Sequence, residues 1–137
     1  MNIERVTDIN EILKCLPFEQ EVRDKGRDTM KISDMLFFLK DQIGNPMFGF
    51  WMAYDDEDDI IGYLSAMMVL LPGMKKLHLL RLYAKDSIVL AAFRDVVKVF
   101  CKDFKVKTVM ISVSKNVRAI KRKYGFKPVS VTMEMEL

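Results

Sequence analysis

Few residues in this chain can do acid, base or nucleophilic chemistry, and their surroundings limit what each could do. The single histidine, His78, stands between Leu77 and Leu79. An imidazole titrates near neutral pH, so it is a candidate base; the plainer reading is an exposed position on a strand. Cys15 and Cys101 lie far apart, each among apolar residues, which reads as two buried free thiols rather than a disulfide framework. Ser112 and Ser114 have no Ser-His-Asp or Cys-His set to join, so a hydrolase is unsupported. The acidic run Asp55 to Asp59 lacks the ligand spacing and the turning Gly of a metal loop. It reads as a solvated hairpin tip, and no metal site is expected. The basic segment Lys115 to Lys123 could grip nucleic acid, line an anion site, or be only the wet face of a helix that stops at Gly125.

Composition narrows those choices. At 137 residues the chain has the length of one domain with a single core, and we read residues 1–137 as one unit. Half the residues are hydrophobic and 30% are charged, an ordinary folded composition. Lys and Arg (22) nearly balance Asp and Glu (19), leaving +3. That argues against a dedicated nucleic-acid binder. The N-terminus has no apolar signal core, and the longest apolar stretch, Leu64 to Pro72, is too short to cross a bilayer. A soluble, cytoplasmic protein in a reducing compartment is expected, with no membrane partner and no oligomeric state implied.

The elements that must position these residues follow from hydrophobic period and turn signals. Asn2 to Thr7 alternates as a short strand, with Ile3 and Val6 facing inward. Thr7 or Asp8 can cap a helix carrying Ile9, Ile12, Leu13 and Leu16, which Pro17 should end or bend. Phe18 to Asp28 reads as a second short helix and a loop. Another helix begins near Ser33, buries Met35, Leu36, Leu39 and Ile43, and stops at Gly44. "FGFWMAY" and "IIGYLSAMMVLL" read as antiparallel strands around the acidic turn, and "KKLHLLRLYA" follows Pro72-Gly73 as a third. Asp86 or Ser87 can cap a long helix whose inner face holds Val89, Phe93, Val96, Val97, Phe100 and Phe104. A strand "VKTVMISV", a short helix from Asn116 to Lys123, and a final alternating strand from Val129 to Leu137 complete the chain. The order is β-α-α-β-β-β-α-β-α-β: an α/β (mixed α+β) fold with a mostly antiparallel sheet flanked by helices.

This order, with Asn116, Ala119, Gly125 and Phe126 in "SKNVRAIKRKYGF" and the alternating strand beyond, resembles the GNAT superfamily of N-acetyltransferases. The resemblance implies acetyl-CoA as cofactor and a primary amine, on a small molecule or a protein, as substrate. It implies that the third meander strand and the strand after the long helix splay apart around the pantetheine arm, with Leu82, Tyr83 and Ala84 lining the wedge. It also implies that the amino end of the long helix, at Ser87, Ile88 and Val89, receives the pyrophosphate, and that Asn116 opens the short helix beside it. Phe18 to Lys31 would form the rim of the acceptor site, where Glu19, Glu21 and Asp24 could attract an amine. A Tyr in the last helix often serves the family as general acid. Here counting along that helix puts Lys121 or Lys123 at its place, and Tyr124 is the phenol that could swing in.

The phosphate loop departs from the family pattern: there is no Gly between Gly73 and Gly125, and Asp86 brings a negative charge. The reading is therefore an acetyl-CoA-dependent N-acetyltransferase acting on a primary amine. The alternative is a catalytically inert GNAT-fold module that binds a protein and has lost acetyl-CoA.

Overall fold

The structure is a computed structural model, and it describes residues 1–24, 31–111, 122, 125–127, 133, 135 and 136, with only the backbone of 21–24. Its frame is a five-stranded sheet in the order β1 (Asn2–Arg5), β2 (Phe48–Tyr54), β3 (Ile60–Leu71), β4 (Met74–Ala84), β5 (Val109–Ile111). The first four strands run antiparallel, and β5 lies parallel to β4. A parallel neighbour needs a crossover. Here it is the helix α4 (Ser87–Asp103), which runs between β4 and β5.

Alternation along the strands builds two cores. Trp51, Leu64, Ala66 and Leu77 face α4 and meet its Val89, Phe93 and Phe100. Phe50, Met52 and Tyr63 face the other way, toward α1 (Ile9–Ile12), α2 (Leu16–Asp24) and α3 (Ile32–Gln42). The indole of Trp51 and the ring of Phe100 meet edge to face at 5.1 Å, an arrangement that the aromatic quadrupole favours. Two glycines make room for this packing. A Cβ on Gly49 would fall 2.0 Å from the Trp51 indole, and one on Gly62 would fall 2.8 Å from Phe93, Val89 and the Tyr83 carbonyl alike.

Local signals behave as the sequence predicts at several ends. Asp8 caps α1, accepting from the Asn10 amide at 2.9 Å. Gly44 (φ +93°) follows α3, a conformation that costs glycine nothing. The acidic turn is held by Asp55, whose carboxylate accepts from the Glu57 and Asp59 amides. Among the described residues, no His/Cys/Asp/Glu group could hold a metal ion, and no helix is long and apolar enough to cross a membrane. Both cysteines are free and buried.

Three expectations need correction. The first predicted helix is broken: α1 passes through a 3-10 turn, Leu13–Cys15, into α2. Pro17 sits in the first turn of α2 instead of ending a helix, because first-turn positions need no amide hydrogen. α3 starts one residue early, at Ile32, with no side-chain cap, so Ser33 lies in its first turn. Of the last predicted strand, Met133, Met135 and Glu136 are described. They carry no strand, and both methionines are exposed. No described strand offers them a ladder, and alternation alone does not make one. The rest of that segment, and the helix before it except Arg122, lie outside the described residues.

Candidate functional site

β4 is interrupted where chemistry would need it to be. Ser65 pairs with Arg81 and Ala66 with Leu79, leaving Leu80 as an extra residue. This bulge adds local twist and lets a strand leave its neighbour. Among the described residues, β5 pairs with β4 only over Leu77–Leu79, before the bulge. Beyond it, the Lys85 amide donates to the Ile61 carbonyl of β3 at 2.9 Å. Strand groups alternate in direction, so the backbone N–H and C=O of Leu82 and Ala84 point away from β3, along the edge that the described part of β5 does not cover.

The bulge also decides side-chain facing. Leu77 and Leu79 belong to the α4 core, whereas Leu80 and Tyr83 belong to the other. Without the extra residue, simple alternation would place Tyr83 on the same face as Leu77. Instead Tyr83 packs against Tyr63 at 5.7 Å and Phe18 at 5.0 Å.

The amino end of α4 abuts this edge. Asp86 caps the helix, its Oδ1 accepting from the Ile88 and Val89 amides at 3.0 Å each, while its carbonyl accepts from Leu90. Two of the three amides that the family resemblance assigns to a pyrophosphate are thus already bound by a carboxylate. Gly62 sets the depth of this helix end, since Val89 and Phe93 rest directly on it.

On the opposite face lies a buried polar cluster drawn from three elements. Glu19 of α2 has a side chain only 4% exposed. Its Oε1 accepts from the Tyr63 hydroxyl at 2.5 Å, and the Arg81 Nε is 3.9 Å away. Its Oε2 is buried with no hydrogen-bond partner among the described residues. Leaving such an oxygen unpaired costs about 1–3 kcal/mol or more. Burial, reinforced by the hydrogen bond to Glu19, holds the Tyr63 phenol well above its ordinary pKa. Burial and the nearby Glu19 charge push the Cys15 thiol up to about 12. Neither group ionises near neutral pH, so neither is a ready nucleophile.

His78 sits in the paired part of β4, opposite Met67 and Met110. At about 3.3 Å per residue it is roughly 13 Å along the strand from Leu82. Partial burial lowers its pKa and favours the neutral imidazole.

The whole architecture has counterparts among solved structures. A predicted acetyltransferase with acetyl-CoA from Clostridium acetobutylicum superposes with a TM-score of 0.76 at 16% identity, covering 98% of this chain and 95% of that one. The fold is that of the GNAT acetyltransferases. An aminoglycoside antibiotic 6'-N-acetyltransferase from Acinetobacter haemolyticus matches this GNAT fold with a TM-score of 0.73 at 17% identity, over 100% of this chain and 98% of its own. A third GNAT-fold match is AAC(6')-Iy in complex with a bisubstrate analogue, CoA-S-monomethyl-acetylneamine. Its TM-score is 0.69 at 11% identity, over 99% and 97% of the two chains. No family model and no curated protein sequence matches the chain.

Within the GNAT frame, the structure brings Leu82, Tyr83 and Ala84 together with the helix end at Ser87, Ile88 and Val89, and leaves His78 apart from them. The Val89 side chain is itself core, 1% exposed, while Ile88 is open to solvent. Asn116 and Tyr124 lie outside the described residues. Sequence reasoning missed Tyr63, Arg81 and the Leu80 bulge. Glu19 did carry a signal: it follows Ile12 and Leu16 at the helical i, i+4, i+7 spacing, which places it on the inner stripe.

Proposed function

We propose that the protein is an N-acyltransferase that takes acetyl-CoA as donor and a primary amine as acceptor. The observation that carries this reading is the β4 edge beyond the Leu80 bulge. There Leu82 and Ala84 turn backbone donors and acceptors outward, suited to the amide-bearing pantetheine arm in the manner of an added strand. The likeness to acetyltransferase structures supports it.

The residues present fit the donor in part. The edge suits the pantetheine arm, but the α4 end accepts a diphosphate only if the Asp86 carboxylate leaves the Ile88 and Val89 amides. Bound there, the donor would supply an activated thioester carbonyl. The chain's own task would be to align an amine with it and take up the amine's proton. Ser87 would add a hydroxyl, and Asn116 is proposed as a further contact to the donor. Tyr124 is the proposed proton carrier, because His78 lies four residues along β4 from Leu82, in the part paired on both sides. A donor of this kind and the two free thiols support a cytoplasmic location.

A second reading is favoured by the Asp86 cap itself: a GNAT-fold module that has lost the donor and binds a protein instead. Calorimetric titration with acetyl-CoA, followed by thiol release in the presence of amines, separates the two. Binding and amine-dependent thiol release are expected. Absence of both binding and a rise in melting temperature would overturn the enzyme reading in favour of the module.

A further inference from the structure

The hairpin joining β3 to β4 outruns the sheet around it. β2 accompanies β3 only as far as the Phe48–Met67 pair and the Met68 amide, which donates to the Met47 carbonyl. β5 reaches β4 at Leu77, whose amide donates to the Thr108 carbonyl. Val69–Leu71 and Met74–Lys76 therefore pair only with each other among the described residues. They form a two-stranded arm about 10 Å long. At its tip Leu70, Leu71 and Met74 are 40%, 54% and 37% exposed, and none of the three belongs to either core.

Lysines surround the base of this arm. Lys75 follows the tip on β4, with Lys76 partly covered behind it. The parallel register that sets Val109 beside Leu77 brings the exposed Lys107 level with Lys75, and the exposed Lys105 lies in the turn that leaves α4. Asp103 offsets one of these four charges, while Lys40 and Asp41, in the last turn of α3, cancel each other. The acidic run Asp55 to Asp59 lies at the other end of β3, roughly 36 Å away.

We propose that this arm docks the protein on an anionic phospholipid bilayer. Its length matches the depth of about 5–10 Å to which an interfacial apolar face sinks below the headgroups. The lysines then stand at headgroup level, with their stems along the apolar edge and their ammonium groups on lipid phosphates and carboxylates. The same negative surface attracts them and repels the acidic turn at the far end, so the field orients the molecule arm first. A protein partner fits less well, because three side chains fall far short of the roughly 800 Å² per side of a stable interface. Nucleic acid would use the lysines but leave Leu70, Leu71 and Met74 in water. The edge at Leu82–Ala84 is roughly 26 Å along β4 from Met74, so it stays in solution when the arm is docked. The docking does not depend on the acyltransferase reading.

Co-sedimentation with vesicles tests the proposal. The protein should bind vesicles of phosphatidylcholine mixed with phosphatidylserine and not vesicles of phosphatidylcholine alone. Lys75→Ala with Lys76→Ala should weaken partitioning about 25-fold, at about fivefold per lysine. Leu70→Ser with Leu71→Ser should weaken it at least about tenfold. These four side chains lie outside both cores, so both variants should keep the wild-type melting temperature. A salt series on the wild type gives a reading that needs no variant, since added salt should weaken binding. No binding to either vesicle, equal binding to both, binding that ignores salt, or binding that survives the two serines would each overturn the proposal. So would a DNA duplex bound through the lysines without vesicle binding, which would mark a nucleic-acid surface. A dimer in sedimentation velocity that the two serines dissociate, with no vesicle binding, would equally overturn it in favour of a second copy covering the tip.

Discussion

Gly62→Ala is the substitution with the clearest structural consequence. Gly62 lies in β3 with no unusual backbone demand, so its role is to leave space. An added methyl would sit 2.8 Å from Phe93 Cε2, from Val89 Cγ1 and from the Tyr83 carbonyl oxygen. Restoring ordinary contact requires each to retreat by about 0.6 Å. The Tyr83 carbonyl faces β3 in the sheet ladder, and Val89 and Phe93 are 1% and 2% exposed in the core, so none can retreat alone. The amino-terminal half of α4 must lift from the sheet. Overpacking of this kind costs about 1–3 kcal/mol, and three simultaneous contacts put the expected cost near the upper end. For a domain of this size about 2.5 kcal/mol lowers the melting temperature by about 8–10 °C. Scanning calorimetry reads that directly. Gly73→Asn is the control: Gly73 has φ +74° and nothing within 4 Å of a new Cβ. Asn tolerates that conformation, so its loss should stay within about 1 kcal/mol. If Gly62→Ala melts within about 2 °C of the wild type, the account of α4 resting on this glycine is wrong. A displaced helix end should also weaken acetyl-CoA binding, which titration of the same variant would show.

Two further outcomes follow from the site. Asp86→Ala should destabilise α4 by about 1 kcal/mol through loss of its cap yet tighten acetyl-CoA binding, because the Ile88 and Val89 amides are released; melting and titration on the same sample test both signs. The Cys15 thiol is raised from 9.0 to about 12 in the folded chain, so its contribution is fully present below pH 9 and is lost as pH rises from 9 toward 12. Urea unfolding across that window should show stability falling by up to about 1.4 kcal/mol per pH unit. Cys15→Ala should remove its share of the slope and leave what the raised Tyr54 and Tyr63 phenols and the Cys101 thiol contribute, and an unaltered slope would mean that Cys15 is not among the titrating groups.

Much of the frame was legible because its causes are local. "FGFWMAY" and "IIGYLSAMMVLL" are apolar runs on either side of an acidic turn, and they form β2 and β3 over those same residues. Val89, Phe93 and Phe100 recur at helical spacing behind Asp86, and α4 begins at Ser87 with that cap. The first helix was less legible. Its apolar period continues through Leu13 and Leu16, and period alone does not say where a 3-10 turn will interrupt it. The site was least legible of all. "HLLRLYA" gives no local warning that Leu80 will be left over, because the bulge arises from two strands meeting out of step.

The sequence by itself determined the order of elements from β1 to β5, the acidic turn and the helix cap at Asp86. These follow from contacts within a few residues, where propensity, period and capping act. Tertiary structure alone decided what those pieces make together. It paired β4 with β5 over Leu77–Leu79 among the described residues, seated α4 on Gly62, and brought Glu19, Tyr63 and Arg81 from α2, β3 and β4 into one cluster. Glu19 and Tyr63 are 44 positions apart in the chain, and nothing in the local character of either anticipates the other. Their meeting, and the carboxylate oxygen it leaves without a partner, comes from packing α2 onto the sheet.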